Sequence, residues 1–284
     1  MYRIVDKKVL NPTVIQLNIE APLIAKKANP GQFIILRVDE GGERIPLTVA
    51  GTNEADGTVK IIYQVVGATT KKLSLLEEGD FIRDVVGPLG TPTHLDGIKN
   101  ACIVGGGVGC AIAMPIAEAL HKMGAKVTSI IGFRNRDLVI LEDEFSACSD
   151  ELHIMTDDGS YGKRGNVTLP LGEMLQAGRS FDMIITIGPL IMMKYVVATA
   201  KPYGTPVTVS MNPIMIDGTG MCGGCRLTLL RDGERITRFA CVDGPDFDGY
   251  EVDFDEAIAR GRMYGEFERH AYESACNLYK KEVE

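Results

Sequence analysis

Three of the chain's seven cysteines, Cys222, Cys225 and Cys241, lie close together behind an aspartate in the pattern Asp217-x4-Cys222-x2-Cys225-x15-Cys241. Plant-type [2Fe–2S] clusters are held by C-x4-C-x2-C and a distant fourth cysteine, and this segment has that spacing with aspartate in first place. Thiolates bind iron strongly, and a carboxylate can fill one position as a harder oxygen ligand. Asp217, Cys222, Cys225 and Cys241 are therefore the candidate metal ligands. Gly218, Gly220, Gly223 and Gly224 would let backbone N–H groups approach the sulfurs and stabilise the added charge of a reduced cluster. Two other readings stay open. The same four residues suit a zinc site, and Cys222 with Cys225 could be a redox dithiol, although that pair does not open a helix after a strand. Cys102, Cys110, Cys148 and Cys276 show no second cluster spacing.

A second constellation is Gly105-Gly106-Gly107-Val108-Gly109-Cys110, between the apolar run Ala101-Cys102-Ile103-Val104 and an apolar helix expected over 110–123. A glycine turn there aims backbone N–H groups and a helix N-terminus at a phosphate. Read as G-x-G-x-x-G, it has Cys110 in the third glycine position. The next strand, 126–131, runs into Gly132-Phe133-Arg134 without the acidic residue that holds an adenine ribose. It is a poor fingerprint of the usual dehydrogenase kind, and a turn that merely packs a helix on a sheet is the alternative. Arg134 and Arg136 either meet a 2′-phosphate, favouring NADP(H), or are simply exposed.

These residues need elements to position them. Residues 1–97 hold short β-rich runs such as Phe33-Ile34-Ile35-Leu36-Arg37-Val38, separated by turn signals including Asn29-Pro30-Gly31 and Gly87-Pro88-Leu89-Gly90. That rhythm predicts a small antiparallel barrel. Strand and helix then alternate over 98–212, predicting a doubly wound α/β domain. Residues 213–250 form a glycine-rich, cysteine-bearing segment. Over 251–284 a helical tail is expected, opened by Asp253-Phe254-Asp255-Glu256 as a capping box.

A net charge of −8 argues against a DNA or RNA partner. No apolar run approaches the roughly 20 residues of a membrane span, and the N-terminus lacks a signal peptide's apolar core. A cytoplasmic location is the expectation. The four histidines are scattered, so no acid–base constellation is sought.

A barrel followed by an α/β domain with a GGGVG turn resembles the ferredoxin–NADP⁺ reductase superfamily. Thr156-Asp157-Asp158-Gly159-Ser160-Tyr161-Gly162 and Gly188-Pro189-Leu190-Ile191-Met192 resemble further family features, the latter with Ile187 in place of a cysteine. The resemblance implies FAD on the barrel and NAD(H) on the α/β domain, at Gly106, Gly107, Val108, Gly109, Asp158, Gly188 and Pro189. Its R-x-Y-S-type flavin segment has a counterpart in Arg44-Ile45-Pro46-Leu47-Thr48, with the arginine one residue early and Leu47 replacing tyrosine. Ile62-Tyr63-Gln64, with Gly67, Thr69 and Thr70, looks like the strand and turn that meet the ribityl chain and diphosphate; a barrel strand with an ordinary turn is the other reading. Asn212-Pro213-Ile214-Met215-Ile216-Asp217, running to Cys225, with Ala240-Cys241-Val242-Asp243-Gly244-Pro245, resembles small subunits of the NADH-dependent ferredoxin:NADP⁺ oxidoreductase and sulfide dehydrogenase type. That implies a larger iron–sulfur flavoprotein partner in a heterodimer and flavin-based electron bifurcation. Electron-transfer subunits of dihydroorotate dehydrogenase are similar in layout but carry cysteine where Asp217 stands. A non-catalytic zinc- and nucleotide-binding module is the rival from another class.

Overall fold

The structure, a computed structural model, describes residues 1–263 and 265–281, with side chains up to residue 274. The last three residues of the expected tail and the Cys276 side chain lie outside the described part.

In the first half, strands β1 (Tyr2–Asn11) and β2 (Val14–Glu20) precede the short helix α1 (Pro22–Ala25). Then come β3 (Phe33–Arg37), β4 (Arg44–Asn53), β5 (Thr58–Gln64), helix α2 (Ala68–Ser74), β6 (Phe81–Ile82) and β7 (Asp84–Leu89). They form one antiparallel sheet in the order β6-β1-β2-β5-β4-β3-β7. Its two edge strands are consecutive in the chain, so residues 81–89 close the sheet on itself as the turn-punctuated sequence implies. Alternation fills the interior: Leu17 and Ile19 on β2 and Val59 and Ile61 on β5 are fully buried, while Lys60 between them points out.

The second half runs β8 (Asn100–Gly106), α3 (Gly109–Lys122), β9 (Lys126–Phe133), α4 (Glu142–Cys148), β10 (Glu151–Thr156), β11 (Lys163–Arg164), α5 (Thr168–Gln176), β12 (Met183–Ile187), α6 (Leu190–Ala200) and β13 (Val207–Ser210). A hairpin, β14 (Arg226–Arg231) and β15 (Glu234–Phe239), follows, then β16 (Asp246–Asp248) and helices α7 (Phe254–Gly261) and α8 (Gly265–Lys281). The second sheet has the order β11-β10-β9-β8-β12-β13-β16, parallel except for β16. From β8 the chain winds outward to β10, then returns to the other side at β12. That reversal opens a crevice at the C-terminal ends of β8 and β12, where doubly wound sheets bind ligands. β8 is central, and its apolar run 101–104 has no exposed surface.

The segment expected to carry the cluster is not self-contained. β16 within it adds an antiparallel edge to the α/β sheet. Met215, Cys225, Leu227 and Cys241 share one hydrophobic core with Val104 and Ile184 of that sheet and with Phe33 and Ile35 of the barrel. α7 begins where expected, with the Asp253 carboxylate accepting the Glu256 N–H at 3.0 Å. No helix among the described residues is long and apolar enough to cross a membrane.

Candidate functional site

The x15 spacing between Cys225 and Cys241 is the length of a β-hairpin. β14 and β15 pair from Arg226↔Phe239 to Arg231↔Glu234, and the Ala240 N–H closes the base by donating to the Cys225 carbonyl at 3.1 Å. The hairpin thus brings Cys225 and Cys241 to one point. Their Sγ atoms are 3.2 Å apart, at 1% and 2% residue exposure. The other two candidates form a second couple. Asp217 Oδ1 accepts the Thr219 N–H at 2.8 Å and Oδ2 accepts the Cys222 N–H at 2.9 Å. The Thr219 N–H, followed by the Cys222 contacts, holds the Asp217 carboxyl below the usual range. Cys222 itself is exposed, and its Sγ receives the Gly224 N–H at 3.5 Å.

Among the described residues, no three His, Cys, Asp or Glu side chains gather as ligands of one ion. The four candidates stand as a thiol pair and a carboxylate–thiol pair. Burial, and then the Cys225 thiol beside it, pushes the Cys241 thiol up to about 12, so iron binding there must displace a proton. Two soft sulfurs on one side and a mixed couple on the other suit a centre with two metal positions.

The loop bearing Asp217 rests on the barrel. Gly218 adopts φ +74°, and a Cβ there would meet Leu89 Cδ1 at 2.6 Å and Ile35 Cδ1 at 2.9 Å. Leu89 pairs with Phe33, and Phe33 pairs with Thr48. Two inter-strand steps, about 10 Å in all, therefore separate the expected flavin strand β4 from the strand beneath the cluster loop.

On β4, alternation divides the five expected flavin residues. Ile45 and Leu47 pack against the barrel core, which leaves Arg44, Pro46 and Thr48 on the outer face. Leu47 is thus turned away from that face, and Pro46, two residues after Arg44, occupies it. Tyr63 is likewise inside the barrel at 2% exposure, its hydroxyl without a hydrogen-bond partner among the described residues and its ionisation suppressed by burial. Ile62 faces the other way and joins the core beneath α3, and Gln64 is half-buried. Gly67 precedes α2, where the Thr70 hydroxyl accepts the Val66 and Gly67 N–H groups at 3.1 and 3.0 Å. Thr70 is therefore a local cap. Thr69 donates to Glu43 Oε2 at 3.1 Å, bringing this turn beside Arg44.

The expected nucleotide residues of the turns after β8 and β12 meet at the crevice. A Cβ on Gly106 would overlap Met192 and approach Pro189, and one on Gly188 would come 3.2 Å from Gly106 Cα, so the turns after β8 and β12 are in contact. Among the described residues no side chain caps α3, which starts at Gly109 after the N-cap Val108, leaving that end suited to an anion. Asp158 lies farther along the same edge, after β10, its Oδ1 accepting the Ser160 N–H and hydroxyl at 2.9 and 2.6 Å. The Ser160 hydroxyl and N–H hold its carboxyl below the usual range. Arg136 lies over the Tyr161 ring, 5.4 Å from its centroid.

Sequence reasoning missed the residues that stitch the three parts together. The Thr91 N–H donates to the Gly244 carbonyl at 2.7 Å, and the Thr93 hydroxyl to Asp246 Oδ2 at 2.5 Å.

Comparison with known proteins bears on the same regions. The family model for the iron–sulfur cluster binding domain of dihydroorotate dehydrogenase B matches residues 212–253. A Thermotoga maritima protein named as a homolog of the dihydroorotate dehydrogenase B (NAD⁺) electron transfer subunit is 47% identical, over 95% of this chain and 94% of its own. The Streptococcus pneumoniae electron transfer subunit of dihydroorotate dehydrogenase B is 32% identical over 86% and 94%. Among solved structures, a chain of an NADH-dependent reduced ferredoxin–NADP oxidoreductase, described in connection with flavin-based electron bifurcation, superposes with a TM-score of 0.89. It is 46% identical, over 96% of this chain and 97% of its own. A ferredoxin reductase of carbazole 1,9a-dioxygenase, at 18% identity and TM-score 0.61, shares the fold. The chain belongs to the family of dihydroorotate dehydrogenase B-type electron-transfer subunits, within the ferredoxin–NADP⁺ reductase superfamily.

Proposed function

We propose that this chain binds FAD on the outer face of β4 and the turn before α2. NAD(H) is bound at the β8–α3 and β12–α6 turns, and a [2Fe–2S] cluster at Asp217, Cys222, Cys225 and Cys241. When bound, these groups accept an electron pair as hydride and release the electrons singly. The protein's own contribution is positioning. Arg44 and the Gly67–Thr69 turn, brought together by the Thr69–Glu43 hydrogen bond, offer charge and N–H donors to a diphosphate. The uncapped start of α3 receives a second diphosphate. The observation that carries the reading is the strand register from Thr48 through Phe33 to Leu89 beneath Gly218, which keeps the flavin strand and the cluster loop about two strand widths apart. The grouping of the four ligands as two couples supports a two-iron cluster over zinc. NAD(H) is the preferred nicotinamide, since relatives are named for NAD⁺ and NADH and Arg136 is already engaged with Tyr161.

The exposed Cys222 and Met221 give electrons an exit to a larger iron–sulfur flavoprotein subunit. For that partner, Asp217 and the bifurcating relative favour an assembly coupling NADPH, NAD and ferredoxin. The names of the curated relatives lend broader support to the alternative, a dihydroorotate dehydrogenase catalytic chain. Anaerobic affinity purification from the native cell decides between them. Recovery with a dihydroorotate dehydrogenase chain and orotate-dependent NADH oxidation would establish the latter. A large iron–sulfur flavoprotein with ferredoxin-dependent activity would establish bifurcation, and recovery without any flavoprotein would contradict the subunit reading.

A further inference from the structure

Asp246 opens β16, five residues beyond Cys241. The residue as a whole is partly exposed but its carboxyl is not. Oδ1 is buried without a hydrogen-bond partner among the described residues, and Oδ2 accepts from the Thr93 hydroxyl at 2.5 Å. Thr93 belongs to the linker between the barrel and β8, and Ser210, the cross-strand partner of Asp246 on β13, places a second hydroxyl beside the carboxyl. The same linker donates the Thr91 N–H to Gly244 and the Thr91 hydroxyl to the Val242 carbonyl at 3.4 Å. Gly90 approaches Pro245 so closely that a Cβ would lie 3.0 Å from its ring. The carboxyl therefore sits where the barrel, the nucleotide sheet and the cluster segment meet.

A buried carboxylate ordinarily has a cation beside it. Here burial raises the proton affinity of Asp246, and the Thr93 and Ser210 hydroxyls only partly offset it. From the linker the facing group is Thr93, from β13 it is Ser210, and neither titrates. The ionisable residues next along those elements are His94 on the linker and Asp248 on β16. If the junction needed only a hydrogen bond to Thr93, an amide would supply it. What the carboxyl adds is a proton that can come and go.

We propose that Asp246 is the proton-coupling group of the cluster. With each electron reaching the cluster from NADH by way of the flavin, one proton from solvent binds the Asp246 carboxylate and makes it the acid; when the electron passes to the partner subunit, the proton leaves. The proton's charge then offsets that of the added electron through the cycle. An added electron raises the proton affinity of a carboxylate that feels its field, and by reciprocity the bound proton makes the cluster easier to reduce. The inference rests on residues 217–241 being a cluster site.

The test is an EPR-monitored redox titration of the full, cofactor-loaded protein across the neutral pH range, with reduction-induced infrared difference spectra. The parent and Asp246→Asn are compared, the latter keeping an acceptor for Thr93. In the parent, the cluster midpoint potential falls as pH rises and reduction produces a carboxylic-acid C=O band. In Asp246→Asn, with flavin and iron content unchanged, the slope flattens and the band is lost. Thr93→Val keeps the carboxyl but removes a hydrogen bond that favours its charged form, so the sloping region moves to higher pH. An identical slope and band in loaded Asp246→Asn overturns this proposal alone. A parent protein that binds neither flavin nor cluster overturns the cluster reading and this proposal with it.

Discussion

Cys225→Ser strips the iron–sulfur centre while leaving the flavin bound. Cys225 is 1% exposed, its sulfur lies 3.2 Å from Cys241, and both sit in the core joining the hairpin to the α/β sheet. A serine hydroxyl is a hard, poorly ionised donor in place of a thiolate that binds iron strongly. Iron and acid-labile sulfide are expected to fall by about 10-fold or more. Flavin reduction by NADH in stopped flow keeps its parental rate, because β4 and the crevice are untouched. Electron delivery to the partner subunit falls with the cluster, by about 100-fold or more, equivalent to roughly 2.7 kcal/mol. Full iron content with unchanged delivery would remove Cys225 from the ligand set.

Gly109→Ala acts at the other end of the electron path. A Cβ at this position would lie 2.5 Å from the Ile187 carbonyl oxygen and 2.8 Å from Gly188 Cα. Both neighbours are backbone, so no side chain can move aside, and the two nucleotide turns must separate. Overpacking of this kind costs about 1–3 kcal/mol, read as a lowered denaturation midpoint. Because the same turns are to hold NAD(H), the NADH dissociation constant rises by about 10-fold or more, which is 1.4 kcal/mol per decade. Calorimetric titration with NADH checks it, and unchanged affinity would detach the nucleotide from this crevice.

Much of the fold was legible because its signals are local. The unbroken apolar run 101–104 lies in a buried parallel strand, as such a run implies, and the helix expected over 110–123 is Gly109–Lys122. The hairpin between the cysteines was legible but unread. Asp232-Gly233, at φ 53° and 82°, is a turn pair that favours two-residue hairpins, flanked here by Leu227-Thr228-Leu229-Leu230 and Arg235-Ile236-Thr237. Other features left no local trace. In Ile45-Pro46-Leu47 and Ile61-Ile62-Tyr63 apolar residues stand on both faces, so period two cannot tell which face is interior. A threonine hydroxyl that caps its own helix, as Thr70 does, reads the same as one offered to a ligand. The Thr93–Asp246 contact joins residues 153 apart, and only the closed structure brings them together.

In the proposed function, one chain carries hydride acceptance and single-electron transfer on three adjoining sites. Anaerobically purified protein titrated with NADH tests it directly, with visible and EPR spectra recorded at each step alongside metal analysis. The expected result is bound flavin that bleaches on NADH addition, about two irons and two sulfides per chain, and a reduced-cluster EPR signal growing as the flavin bleaches. Colourless protein holding stoichiometric zinc, with no spectral response to NADH, would contradict it.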